Sequence, residues 1–215
     1  DLNEGIIASG SILHYLAETQ HNKLQHITSV SRIAEDEYVW MDRFTIRNLE
    51  LYNSTNNNAV TLLSVIDKTN SAMGGRLLKR WLALPLKNAK KIKQRHEVVS
   101  FFKNNKIVHQ KIQDYIKSIG DIERLISKVA TGKVSPREVV QLKNSLETIN
   151  PIKSLSSNSD NESLKIIGDT LQSCDVLRDK IKQTLNEDAP VNVLKGNTIA
   201  EGFSTELDEL RGLST

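Results

Sequence analysis

A loop that wraps the phosphates of a nucleotide needs glycine, four residues, then Gly-Lys-Ser/Thr. Backbone N–H groups then surround the phosphates, while lysine and hydroxyl reach phosphate and magnesium. The nearest approach in this chain is Gly132-Lys133, where Ser127 stands at the place of the first glycine and Val134 at that of the hydroxyl. That substitution pattern excludes a nucleotide site of this type. His14, His21, His26, His96 and His109 fall at no metal-ligand spacing, and the lone Cys174 has no histidine close to it in sequence. The acid pairs Glu35 with Glu37 and Asp208 with Glu209 fall in a turn and on an exposed helix face, without a nucleophile to serve as general acid and base. No catalytic constellation emerges, so no catalysis, cofactor or metal is expected of these residues.

Two patterns point to binding. From Lys79 to Lys117 the cations Lys79, Arg80, Lys87, Lys90, Lys91, Lys93, Arg95, Lys103, Lys106, Lys111 and Lys117 face only Glu97 and Asp114. A stripe of this kind neutralises phosphates, with Lys87, Lys90, Lys91 and Arg95 as the candidate nucleic-acid contacts, or it is a solvated helix face. The adjacent Gly74 and Gly75 sit at the start of a helical pattern, where each costs roughly 1 kcal/mol relative to alanine. Either another backbone passes too close for a Cβ, or the pair cradles a phosphate at the helix N-terminus. Trp81 falls on an apolar stripe and reads as core, whereas Trp40 alternates with Val39 and stays unplaced. Neither belongs to an aromatic array of the single-strand-binding kind.

These residues need elements to hold them. The 215 residues are 26% charged, 38% hydrophobic and only 5% aromatic, with ten glycines and four prolines, a composition that favours helices over a sandwich or barrel. The chain is long enough for one sizeable core. No run approaches the ~18 apolar residues of a membrane helix, and one cysteine allows no internal disulfide, so a reducing, cytoplasmic setting is expected. There is no initiator Met or signal-peptide pattern, and the acidic stretch from Ser204 to Thr215 stops in mid-helix, as in a piece of a longer protein.

The pattern predicts a helix over Asn3 to Gln20, then a hairpin of Ile27 to Ala34 and Tyr38 to Asp42 turning at Glu35-Asp36-Glu37. A short helix or turn over Arg43 to Leu51 and a surface loop from Tyr52 to Ala59 follow. Leu62 to Leu86 reads as two helices broken at Lys68 to Asn70. Ser71 caps the second, Met73, Leu77, Trp81 and Leu84 form its buried stripe, and Pro85 stops it. Ala89 to Lys117 is a long helix or a pair broken at Asn104-Asn105, with Ile92, Val98, Val99, Phe102, Ile112, Tyr115 and Ile116 as core. Asp121 caps the next helix and Gly132 ends it. Ser135-Pro136-Arg137-Glu138 is a complete helix start, closed at Pro151. Ser154 to Ser163 is polar enough to be mobile. Two more helices, an irregular stretch with short strands over Val191 to Leu194 and Thr198 to Ala200, and a last acidic helix complete the chain. The expected fold is mainly α, an irregular multi-helix bundle with a small β-hairpin near the N-terminus.

The combination Ser64-Val65-Ile66-Asp67, Thr69, Met73-Gly74, Arg76-Leu77-Leu78, Arg80-Trp81-Leu82 and Pro85-Leu86 resembles the core domain of the MutS mismatch-repair proteins. The likeness extends over Ile7-Ala8, Gly10, Leu13-His14-Tyr15-Leu16 and Glu18-Thr19-Gln20, over Asp42 and Arg47-Asn48-Leu49-Glu50, and over Gly120-Asp121-Ile122-Glu123-Arg124. It ends on Ile199-Ala200, Gly202-Phe203 and Glu206 to Arg211. The family's mismatch-reading Phe-x-Glu has no counterpart, since Phe44, Phe101, Phe102 and Phe203 are not followed by Glu two residues on.

The resemblance implies three parts: residues 1–25 as the end of a connector with the first core helix, 26–203 as a helical core, and 204–215 as the start of a lever helix before the DNA clamp. It implies that the parent binds mismatched double-stranded DNA as a homodimer, hydrolyses ATP with magnesium and meets a MutL-type partner, with no role for a membrane. This segment would couple clamp and ATPase mechanically. Asp67, Met73, Gly74, Gly75, Arg76, Arg80, Trp81 and Pro85 would form the pivot. An autonomous DNA-binding module built on residues 79–117 and a protein-interaction scaffold are the alternative expectations. The stretch Ser9-Gly10 to Gln20 favours the mismatch-repair branch over the branch that reads no mismatch.

Overall fold

A computed structural model describes residues 3–19, 24, 27–31, 35–54 and 59–213. Its helices are α1 (Asn3–Glu18), α2 (Arg43–Asn48), α3 (Leu62–Ile66), α4 (Ala72–Ala83), α5 (Ala89–Asn104), α6 (Lys106–Ser118), α7 (Ile122–Ala130), α8 (Pro136–Ser157), α9 (Glu162–Thr170), α10 (Asp175–Thr184) and α11 (Thr205–Leu213), with 3-10 turns at Glu35–Glu37 and Val193–Lys195. His21, His26 and part of the Tyr52 to Ala59 loop lie outside the described residues.

Side-chain caps decide where most helices begin. Asp42, Thr61, Ser71, Asn88, Asp121, Ser135 and Asn161 each accept a hydrogen bond from a backbone N–H in the first turn of the helix that follows. Ser135 and Glu138 form a reciprocal capping box at α8. Gly132, at φ +68°, closes α7, its N–H donating to Val129 O and that of Lys133 to Lys128 O. The break between α5 and α6 falls at Asn105, as the sequence predicts.

The long helix α8 is the hub, packed by α6, α7, α9 and α10, while α5 lies on α6 and α9. Leu142 and Leu146 of α8 meet Leu125 of α7, with Ile122 and Ile149 packed against them. Ile112, Val140, Leu164 and Ile181 carry the buried face to the neighbouring helices. Among the described residues no helix is long and apolar enough to cross a membrane.

Several expectations are corrected. The hairpin is absent: among the described residues there is no strand, and Glu35–Glu37 wind as a 3-10 turn while 27–31 is irregular and exposed. Tyr38 pairs with Leu86 in an isolated antiparallel bridge, Val39 N donating to Pro85 O at 2.7 Å and Lys87 N to Glu37 O at 2.8 Å. The backbone groups of this segment are satisfied by the link between α4 and α5, so its alternating pattern pairs with a distant partner. The short strands proposed near the end are a 3-10 turn at Val193–Lys195 and a single bridge between Leu185 and Ile199.

Pro151 does not close its helix; α8 runs through it to Ser157. An interior proline costs about 3 kcal/mol through its missing N–H and ring clash. Packing beyond it offsets that cost: Ser156 is 2% exposed and Ser159 6%. The polar stretch expected to be mobile is therefore a packed turn, where Ser159 Oγ donates to Ser156 O and Asn161 O. Here α8 and α9 approach closely. A Cβ on Gly168 of α9 would lie 2.7 Å from Ser157 N and 2.8 Å from Ser156 Cβ. Nearby, Lys153 Nζ donates to Leu171 O at 2.9 Å, satisfying the C-terminal end of α9.

Gly168→Ala should lower stability in urea denaturation by about 1–3 kcal/mol, the cost of overpacking, whereas Gly10→Ala, with nothing within 4 Å, should be neutral or stabilising. Glu138 accepts from Lys128 and from Ser135 N and Oγ, which together hold its carboxyl down at about 2 against an ordinary 4.5. Its contribution is therefore full above pH 4.5 and lost as pH falls toward 2. Glu138→Gln should lower the melting temperature at pH 7, and the gap from wild type should close near pH 2.

Candidate mechanical joint and basic face

The joint is built on α4. Ser71 caps it through Gly74 N at 3.1 Å, and just before it Asp67 accepts from Thr69 Oγ1 at 2.7 Å and Thr69 N at 3.0 Å. The Thr69 bonds hold the Asp67 carboxyl below its ordinary value. This folded-back turn explains the two glycines. A Cβ on Gly74 would meet Ser71 Oγ at 3.1 Å and Thr69 Cβ at 3.4 Å, and one on Gly75 would meet Thr69 Oγ1 at 3.3 Å and Asp67 Oδ2 at 3.6 Å. The crowding comes from side chains of the preceding turn, not from another backbone. An acidic residue placed here also suits the positive end of the helix.

Arg76 makes the strongest tie. Its Nη1 and Nη2 donate to Asp121 Oδ2 and Oδ1 at 2.9 and 2.7 Å, while Nε and Nη2 donate to Glu123 Oε2 at 2.8 and 2.6 Å. The planar guanidinium matches this fork as an ammonium group does not. Asp121 also caps α7 through Arg124 N. Its hydrogen bond to Arg76 is the main cause holding its carboxyl below the ordinary value, and the two carboxylates push Arg76 higher still. The sequence marks both ends, since Arg76 and the run Gly120 to Arg124 each stand out, but nothing local says that they meet.

Three further links fix α4. The hydroxyl of Tyr52 donates to Lys79 O at 2.6 Å and the Lys79 ammonium lies 5.2 Å from the Tyr52 ring centre, while burial pushes the phenol upward. Pro85 accepts from Val39 N. The Arg95 guanidinium lies over the Trp81 ring at 3.6 Å, a cation–π pair with α5; partial burial lowers the Arg95 value. Trp81 is 40% exposed and Leu77 47%, so the stripe expected to be core is half-open. Met73, Gly74, Gly75 and Pro85 are half-buried, and Asp67, Arg76 and Arg80 exposed. Tyr52 had no signal in the sequence beyond being an aromatic residue at the edge of a polar loop.

The basic face divides. Lys87 and Lys90 are exposed, but Lys91 Nζ is bound to Glu37 Oε1 at 2.6 Å and Arg95 is stacked on Trp81. These two cations line a groove of about 480 Å³ whose walls include Tyr38, Val98, Ile166 and Ile167. Two of the four expected nucleic-acid contacts thus have partners within the chain. Among the described residues no group of three or more His, Cys, Asp and Glu is placed to hold a metal ion.

Comparison with known families matches residues 44–212 to MutS domain III. The DNA mismatch repair protein MutS of Flavobacterium psychrophilum is 67% identical over 214 residues, covering 100% of this chain and 25% of that protein. That of Flavobacterium johnsoniae is 67% identical over 215 residues with the same coverage. The MutS of Bacteroides fragilis is 52% identical over 213 residues, 99% of this chain and 25% of its own. The chain spans about a quarter of the length of the curated relatives it matches.

Arg76→Met should move the Asp121 carboxyl titration, followed by its carbon chemical shift, up toward 3.8, and Arg76→Lys should restore only part of the difference. Because the pair is exposed, the difference should shrink in high salt.

Proposed function

The chain belongs to the MutS family, and from that premise we propose that it is the mechanical core of a mismatch-repair protein, carrying displacement between a DNA-clamping part and an ATPase part with no reaction of its own. Residues 1–25 would complete a connector, 26–203 form the core, and 204–215 begin the lever. Mismatched DNA, the second subunit of a homodimer, ATP with magnesium and a MutL-type partner would be met by other parts of the parent, in the bacterial cytoplasm.

The observation that carries this reading is the Arg76 fork. It ties α4 to the start of α7, and α7 packs on α8, which four helices surround. A body cross-linked in this way would move as one piece, as hinge and rigid-body transitions require. The pivot would be the turn Asp67 to Gly75, with Met73 and Arg76 behind it and Arg80, Trp81 and Pro85 at the far end of α4. The engaged state of Lys91 and Arg95 supports a mechanical role over an autonomous DNA-binding module.

The test is a full-length Flavobacterium johnsoniae MutS in which this segment replaces its counterpart. Gly75→Val and Arg76→Met should leave DNA affinity and basal ATP turnover within about twofold, while the effect of a G·T mismatch on ATP turnover falls severalfold, the scale of ordinary coupling energies. Normal folding with coupling intact would overturn the reading.

A further inference from the structure

Away from the joint, α8 buries an ammonium group. Lys143 is 4% exposed, and its Nζ donates to Glu187 Oε1 at 3.2 Å, the glutamate itself standing in solvent. Further back along α8, Arg137 Nε donates at 3.4 Å to the carbonyl of Ala189, a residue 1% exposed. Both cations hold one turn, 186–189, which closes on itself through Ala189 N to Asn186 O and Asp188 N to Asn186 Oδ1.

That turn carries the next segment. Asn186 N donates to Thr198 O at 3.0 Å, its Nδ2 to Asn197 Oδ1 at 2.9 Å, and Ala200 N to Thr184 O at 2.9 Å, around the bridge of Leu185 with Ile199. The last helix hangs on this segment. Arg211 Nη2 donates to Ile199 O at 2.9 Å, and Asp208 accepts from Gly202 N at 2.7 Å while pairing with Arg211 at 2.9 Å. No residue of α11 is buried, and Leu210 and Leu213 stand exposed. Leu207 is half-buried, and polar bonds to 199–202 supply the rest of what sets its direction.

A buried cation is a costly way to gain stability, because apolar side chains of similar size pack as well without desolvating a charge. What it supplies is constraint, since a buried ammonium group is tolerated only while an acceptor stays within its reach. We propose that Lys143 is a positioning residue: by holding the 186–189 turn it sets the angle at which α11 leaves the helical body. That this angle matters to repair rests on the reading above; that Lys143 sets it is a property of this chain alone.

The test compares wild type with Lys143→Met, which keeps the stem and removes the charge, and with Glu187→Ala, which removes the acceptor from an exposed position and leaves α8 intact. Amide hydrogen exchange at Asn186, Ala200 and Gly202 should quicken about tenfold in both, the scale of losing a charged hydrogen bond, with amides of α5 and α6 unchanged. In a Cys174→Ser background, nitroxide labels at Asn150 and Glu209 should give a narrow distance distribution that broadens or shifts in both variants and recovers in Lys143→Arg. Faster exchange at every amide with an unshifted distance, or no change in either measurement, would overturn the proposal. Failure of the coupling test above would leave these measurements untouched, so the two ideas fail separately.

Discussion

The structure depends on how closely α8 and α9 approach. Where Gly168 lies against Ser156 and Ser157 there is no room for one more carbon, and this contact lets a helix with an interior proline continue to its end. Once α8 is long, its opposite flanks are available to α6, α7 and α10, and the Leu125, Leu142 and Leu146 core closes beside them. Small residues are the means: two serines and a glycine admit a backbone-to-backbone contact that any larger residue would hold apart. Close packing of this kind tolerates volume changes poorly, unlike a solvated face.

What was legible in the sequence was what local chemistry decides. Ser71, Asp121 and the Ser135 to Glu138 box announce helix starts because the hydroxyl or carboxylate and the N–H it satisfies are neighbours in the chain. Gly132 announces an end for the same reason. What was not legible depended on distant partners. Alternation near Tyr38 read as one strand of a local hairpin, but among the described residues there is no strand, and Tyr38 makes a single bridge to the distant Leu86. Pro151 and the serine-rich stretch after it read as a break because propensity counts only local costs, and the packing of Ser156 outweighs them. Gly74 and Gly75 drew attention through their type, yet the tight helix contact belongs to Gly168. In the site, Arg76 and Trp81 were visible as residues; their partners Asp121, Glu123 and Arg95 were set by the fold.

Part of the positive charge is spent inside the molecule. Arg76 holds α7, Lys91 holds the Glu37 turn, Arg95 covers Trp81, Lys128 supports Glu138, Lys143 holds Glu187, and Lys153 satisfies the end of α9. Formal net charge is thus a poor guide to the field such a protein projects. Long basic side chains here act as struts, their charged ends reaching acceptors on neighbouring elements.

Asp121 shows how narrow the choice of residue can become. Serine, threonine or asparagine would start α7 about as well, since each caps a helix, but none offers Arg76 two charged oxygens. Glutamate offers the oxygens and is a poorer cap, its longer side chain less suited to reach back to its own helix. One position thus answers to two geometric demands that share a single solution among the twenty side chains. The alphabet there has one letter, and the helix boundary and the cross-link are written with it together.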